Sequence, residues 1–255
     1  MKFNLNADMA EGYGPWKMGD DDGLLDIIKS ANIACGFHAG DHNIMGNVMR
    51  QATAQGVSIG AHPGFLDLHG FGRRQMHLSE AEIERLMAYQ IGAALGMASL
   101  VGAKVTHVKV HGAMSNMACA DAGMSAAISR AIVAVDKSLI MLSPALSELS
   151  NEGRKAGLTV ADEVFADRTY MPDGQLTPRS RADSMIRDAK DSLAQCLSIF
   201  VEGKVRTVEG QMLDIPAQSI CVHGDGPTAL NLAKSVKEGM QAEGFELATL
   251  PDVLA

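Results

Sequence analysis

The sequence is short of most features that would place it on a nucleic acid, in a membrane or in a disulfide-stapled scaffold. Aromatic residues make up 4% of its 255 positions, and Lys plus Arg number 22 against 30 Asp plus Glu, a net charge of −8. Such a chain lacks the basic footprint and stacking platforms of nucleic-acid recognition and the polybasic patch of a membrane-surface protein. Neither partner is expected. The four cysteines, Cys35, Cys119, Cys196 and Cys221, form no CxxC pair and are too sparse for a disulfide framework. They read as small buried apolar residues in a reducing compartment. The longest uncharged run, Leu86 to Ala103, is marginal for a membrane span and carries Tyr89, Gln90 and Ser99, so a buried helix is expected. The opening residues, MKFNLNADMAEG, put Asn and Asp where a secretory signal needs an apolar stretch, which leads to the expectation of a cytoplasmic protein. Gly203-Lys204 is followed by Val205, where a P-loop needs Ser or Thr, and neither GxSxG nor HExxH occurs.

What is present is regular alternation. Short β-branched runs at Lys2–Ala7, Ala31–Cys35, Val57–Ala61, Val105–Val110, Leu139–Leu142, Leu158–Asp162 and Ser219–His223 are separated by segments of helical character. Those segments lie near 23–29, 43–55, 79–101, 122–135, 144–156 and 181–201, with a last one after Pro227. A small hairpin is expected around Glu209-Gly210. Seven strands without a linker predict an α/β fold with a parallel sheet, a single domain over residues 1–255 that suits a closed barrel slightly better than an open sheet.

Splitting each strand by parity exposes the functional signal. Asn4, Asn6 and Asp8 share one face of the first strand; Asn32 and, beyond its strand, His38 share one face of the second. His62 ends the third, His107, Lys109 and His111 alternate along the fourth, and Cys221, His223 and Asp225 continue the last. The apolar parity must meet the helices, which turns these polar groups into the barrel. A single strand histidine more often completes a polar core than catalyses. Five strands that finish in Asp or His on one face, at the carboxyl ends where α/β folds place their sites, read as an active site. The loops agree: Glu11-Gly12-Tyr13-Gly14 follows Asp8, and Gly70-Phe71-Gly72-Arg73-Arg74 sets two arginines after flexible glycines, suited to a carboxylate or phosphate. His38-x-x-x-His42 has metal-ligand spacing but begins in a loop.

The stretches LNADMAEGYG, SANIACGFHAGDHNIM, GVSIGAHPGFLDLHGFGRR, YQIGA, HVKVHGAMSN, EVFADRTY and ICVHGDGP, in this order, resemble the LamB/YcsF family over residues 5–227. The resemblance implies a (β/α)7-type barrel related to the glycoside hydrolase/deacetylase fold. It also implies ATP-dependent hydrolytic opening of 5-oxo-L-proline to L-glutamate within a multi-subunit 5-oxoprolinase, with partner subunits B and C. Val110 stands where the family usually has proline, and Met114-Ser115 where it has Leu-Tyr.

Opening a resonance-stabilised lactam needs a base, fixed donors for developing charge and an anchor for the substrate carboxylate. Asp8 or His62 is the candidate base, Lys109 and His111 the charge stabilisers, and Arg73 the carboxylate anchor. Asp225 and Glu163 are candidates to orient a histidine or to hold Mg²⁺ with the phosphates of ATP, the co-substrate. Asn6, Glu11, Asn116 and His223 complete the substrate-facing set. A metal-dependent deacetylase or amidase, with Asp8 and two of His38, His62 and His111 as ligands, is the alternative. A non-catalytic lactam-binding module is a third reading.

Overall fold

Parallel pairing of consecutive strands, each followed by a helix, organises the molecule. The structure is a computed structural model that describes residues 1–222 and 229–255. In chain order the elements are β1 (Lys2–Met9), α1 (Asp21–Leu25), β2 (Ser30–Ala34), α2 (His42–Ala54), β3 (Ser58–His62), α3 (Glu80–Val101) and β4 (Val105–Lys109). They continue with α4 (Gly112–Cys119), α5 (Ala122–Asp136), β5 (Ile140–Pro144), α6 (Glu148–Lys155), β6 (Val160–Phe165) and α7 (Ala189–Leu197), which runs into a π-turn at Ser198–Glu202. The chain ends with the hairpin β7 (Lys204–Arg206) and β8 (Met212–Asp214), then β9 (Ser219–Val222), α8 (Ala229–Ala242), β10 (Glu246–Leu247) and α9 (Leu250–Val253).

Strands β1-β2-β3-β4-β5-β6-β9 are parallel neighbours, and β9 pairs back onto β1, so the sheet closes into a seven-stranded barrel. The helices follow from local chemistry. Ser79 and Glu82 form a capping box at the start of α3, which stops where Gly102 turns left-handed at φ 72°. Asp41 caps α2 through the amides of Asn43 and Ile44. Two helices begin later than the sequence pattern suggests. Pro144 completes β5 and Ser147 caps α6, while Asp188 caps α7 and leaves residues 181–188 irregular. The sequence reading stops β6 at Asp162, whereas the strand runs on to Phe165 and carries Glu163 inside the barrel.

Apolar strand faces meet the helices, and side chains such as Phe3, Leu5, Met49, Met87 and Ile91 are fully buried there. Each contributes about 1.5–3 kcal/mol by leaving water. Inside the barrel the order is reversed: Asn4, Asn6, Ser30, Asn32, His107 and Ser219 have no exposed surface. Hydrogen bonds satisfy them, as in Asn4 Nδ2 to Ser30 Oγ (2.8 Å) and Ser219 Oγ to Asn4 Oδ1 (2.7 Å). The amino-terminal end of the barrel is plugged by Leu250, which packs on Ile140, Leu142 and Ala161. Among the described residues no single helix is long and apolar enough to cross a membrane. The pair α4 and α5, long and apolar enough together, is bent by 120° and packs into the core.

Candidate active site

Strand alternation carries Asn6 and Asp8 of β1, Asn32 of β2, and His107 and Lys109 of β4 into the barrel, and register aligns Asp8 with Asn32 and Gly60 with His107. Lys109 Nζ donates to Asp8 Oδ1 at 2.8 Å, to Asn6 Oδ1 at 3.3 Å and to Cys221 Sγ at 3.0 Å, and pairs with Glu163 Oε1 at 2.9 Å. Desolvation works against this buried ammonium, but its neighbours, Asp8 foremost, outweigh it and hold the pKa well above the ordinary lysine range. Lys109 is therefore a fixed cation. Burial drives the Cys221 thiol well above its usual range, so it is no nucleophile.

Beneath this pair the His107 ring fills the space that a Cβ on Gly60 would need. Its Nε2–H donates to Asn32 Oδ1 at 3.0 Å, and Asn32 Nδ2 donates to Asp8 Oδ1 at 2.9 Å. Burial, then Lys109 and His62, push His107 down to about 3, so the ring is a neutral support.

Three imidazoles gather above. His62 Nδ1–H donates to the Lys109 carbonyl at 2.8 Å, and its Nε2 lies 3.3 Å from Asp8 Oδ2. His111 Nε2–H donates to the Phe71 carbonyl at 2.8 Å, and its Nδ1 lies 3.0 Å from His62 Nε2. His38 stacks on His111 with ring centres 3.7 Å apart and meets Glu11 Oε1 at 3.2 Å. Burial, foremost, pushes His111 down to about 3 and His38 well below its usual range. Glu11, His38, His62 and His111 each offer a ligand atom within 4.8 Å of the others, a cluster that can hold a metal ion.

The loop over residues 63–74 closes against this cluster. Gln90, deep in α3, clamps Gly64 by a pair of 2.9 Å hydrogen bonds. Phe71 adopts φ 54°, uncommon for a side-chain-bearing residue, and so aims its carbonyl at His111. A Cβ on Gly72 would stand 2.7 Å from that of His38, which explains the glycine.

A cavity of about 740 Å³ opens above, with Asp8, Lys109 and Glu163 deep in it and Arg73, Asn116 and Arg168 also lining it. Arg73 covers the Phe71 ring at 4.9 Å, whereas Arg74 turns to Asp67 and holds its carboxyl down at about 2. Glu163 is 1% exposed and pairs with Lys109. Asp8, Glu11, His38, His62, Arg73, Lys109, His111, Asn116 and Glu163 thus gather at one end of the barrel. Asn6, expected to face the substrate, instead has no exposed surface and lies beneath the cavity, bonded to Asn32 and Lys109. His42 is exposed on the first turn of α2, apart from the cluster. His223 and Asp225 lie outside the described residues. Sequence parity misses Arg168 and Arg179, which line the cavity from an irregular segment without strand phase. It also misses the role of Gln90, which the sequence marks only as a polar residue in an uncharged run.

The architecture and the site together define a (β/α)7-barrel protein with a buried acid, base and imidazole cluster at the carboxyl ends of its strands. The chain belongs to the LamB/YcsF family, whose profile matches residues 3–255. It is 48% identical over 253 residues to the 5-oxoprolinase A subunit of Azoarcus sp. strain BH72, covering 99% of both chains. It is 49% identical over 245 residues to the protein of that name from Rhodopseudomonas palustris strain BisB5, covering 96% of each. The crystal structure of the lactam utilization protein from Thermus thermophilus superposes with a TM-score of 0.92 at 40% identity, over 98% of this chain and 100% of that one. The catalytic domain of a peptidoglycan N-acetylglucosamine deacetylase from Eubacterium rectale shares the fold, with a TM-score of 0.51 at 12% identity over 97% of this chain and 87% of that one.

Proposed function

We propose that this chain carries the ring-opening site of a multi-subunit 5-oxoprolinase, which hydrolyses 5-oxo-L-proline to L-glutamate with ATP as co-substrate. The observation that carries the reading is Asp8, held between Lys109 and His62 deep in a cavity walled by Arg73. Relatives named as the A subunit of 5-oxoprolinase and a lactam utilization protein of the same fold support it.

In this reading Arg73 takes the substrate carboxylate through its guanidinium fork. ATP phosphorylates the lactam oxygen and makes the ring carbon electrophilic. The chain has no P-loop, so subunits B and C are assigned the nucleotide and its Mg²⁺. Water adds to the ring carbon while Asp8 accepts its proton, and Lys109 faces the developing negative charge without reorganising. The C–N bond then breaks and the nitrogen takes a proton. A second water hydrolyses the resulting γ-glutamyl phosphate, so that glutamate and phosphate leave along with the ADP formed in the first step. Asn6, Asn32 and His107 act beneath, fixing Asp8 and Lys109 in register.

The test is ATP-dependent glutamate release from 5-oxoproline by the purified chain, with and without subunits B and C. Turnover only in the complete mixture is expected, in a cytoplasmic enzyme. Efficient conversion by the chain alone would overturn the division of labour.

A further inference from the structure

The hydrogen bonds at the rim fix which nitrogen of each ring carries a proton. A backbone carbonyl only accepts, so His62 Nδ1, 2.8 Å from the Lys109 carbonyl, and His111 Nε2, 2.8 Å from the Phe71 carbonyl, are the N–H groups. The remaining nitrogens, His62 Nε2 and His111 Nδ1, therefore face each other at 3.0 Å. Glu11 Oε1, a third acceptor, stands 3.6 Å from His111 Nδ1. Acceptors repel at such distances unless something positive lies among them. The spacing also has a natural length: ligand bonds of about 2.0–2.1 Å in a tetrahedron give edges of about 3.3–3.4 Å. The two edges that meet at His111 Nδ1, 3.0 and 3.6 Å, bracket that value, and the ligand atoms all lie within 4.8 Å of one another.

We infer that His62 Nε2, His111 Nδ1 and Glu11 Oε1 form a binding site for one divalent cation of the zinc type, with its remaining position open to the cavity. Two imidazoles and a carboxylate are the donors such an ion prefers. The outer contacts fit too. Each ligating ring donates its other N–H to a backbone carbonyl, the arrangement that orients metal-bound histidines. His38 has no partner at Nδ1 and meets Glu11 Oε1 through Nε2 at 3.2 Å, so its N–H holds the carboxylate in place. Asp8 Oδ2 lies 3.3 Å from His62 Nε2, on the border of the cluster. A proton shared between the two rings is the competing occupant.

The experiment measures metal binding by the full chain without turnover, so its result stands apart from the lactam reading. The chain is stripped with a chelator, titrated calorimetrically with Zn²⁺, and its metal content measured after dialysis. The expected result is about one equivalent per chain, with a melting temperature several degrees higher than that of the stripped protein. Glu11→Gln and His111→Ala, checked for native circular dichroism, should each weaken binding by about 100-fold or more. His42→Ala, on the exposed face of α2, should leave it unchanged. Substoichiometric metal after equilibration with excess Zn²⁺, Mn²⁺ and Co²⁺ would overturn the site in favour of the shared proton. So would full binding that survives both Glu11→Gln and His111→Ala.

Discussion

Lys109 shows at the scale of one residue how the site's chemistry and the fold's stability are joined. Polar active-site groups often cost stability, and their removal then stabilises the protein. Here the ammonium is 5% exposed and neutralises both Asp8 and Glu163, so its loss leaves buried carboxylates without a counter-charge. Lys109→Met should abolish turnover and also destabilise the chain by about 3–5 kcal/mol in urea unfolding at neutral pH. Adding Glu163→Gln should recover part of the stability and none of the activity; no recovery would show that Glu163 is not the partner that matters. Arg73 makes a different prediction, on affinity. Lysine keeps its charge but not its bidentate fork, so Arg73→Lys should raise KM for 5-oxoproline about ten-fold, about 1.4 kcal/mol, with kcat falling much less. Arg74→Lys is the control, because Arg74 holds Asp67 rather than lining the cavity. A larger KM for the Arg74 variant would reassign the anchor. Both arginines are legible in the sequence as a pair after glycines; their opposite directions are not, because a loop has no parity to read.

At the scale of elements, the two-residue period of the strands made the barrel interior legible, whereas the site's supports follow no period. Asn6, Asp8, Asn32, His62, His107 and Lys109 fall on one parity of β1 to β4 and do converge. Glu163 marks the limit of that reading: the pattern stops β6 at Asp162, yet pairing with β9 extends the strand by three residues. Gln90 was hidden for another reason, since a buried amide inside an apolar helix has no meaning until Gly64 is placed against it. The Phe71 carbonyl was out of reach altogether, because it depends on a left-handed backbone at a residue that is not glycine. Gly60 of β3 tests the packing of strands directly. Gly60→Ala should force the His107 ring aside, lower stability by about 1–3 kcal/mol and reduce turnover through the Asn32–Asp8 chain. Wild-type melting and activity would show that β3 has slack the structure does not show. Asp21, at the start of α1, carries a pH signature. Its carboxylate accepts the Ala10 amide, and burial raises its pKa from 3.8 to about 6. The fold thus favours the protonated acid, and this contribution is full below pH 3.8 and lost as pH rises through 6. Asp21→Asn keeps an acceptor without the charge, so it should raise the melting temperature at pH 7 and flatten its slope between pH 4 and 6. An unchanged slope would place the titration elsewhere.

The whole molecule sets a closed barrel, plugged at its amino-terminal end by Leu250, beneath a cavity open at the other. Closure by β9 against β1 ties residues more than 200 positions apart, and it explains why one end of the chain supplies Asp8 and the other Cys221 to the same lysine. The overall architecture could be read from seven strands without a linker, while the terminal plug could not, since Leu250 is one apolar residue among many. The central claim is that this barrel opens the lactam once its partners have brought ATP to phosphorylate the lactam oxygen. The most direct measurement is glutamate and ADP formation from 5-oxoproline and ATP by the reconstituted three-subunit assembly, comparing the wild-type chain with Asp8→Asn. The account predicts matched glutamate and ADP with the wild type. The Asp8→Asn chain, having lost the main counter-charge of Lys109, should melt at a lower temperature, yet fold and assemble below it and yield at least about 100-fold less glutamate, the scale of a lost general base. Near-normal glutamate formation by the Asp8→Asn assembly, or by subunits B and C without this chain, would contradict it.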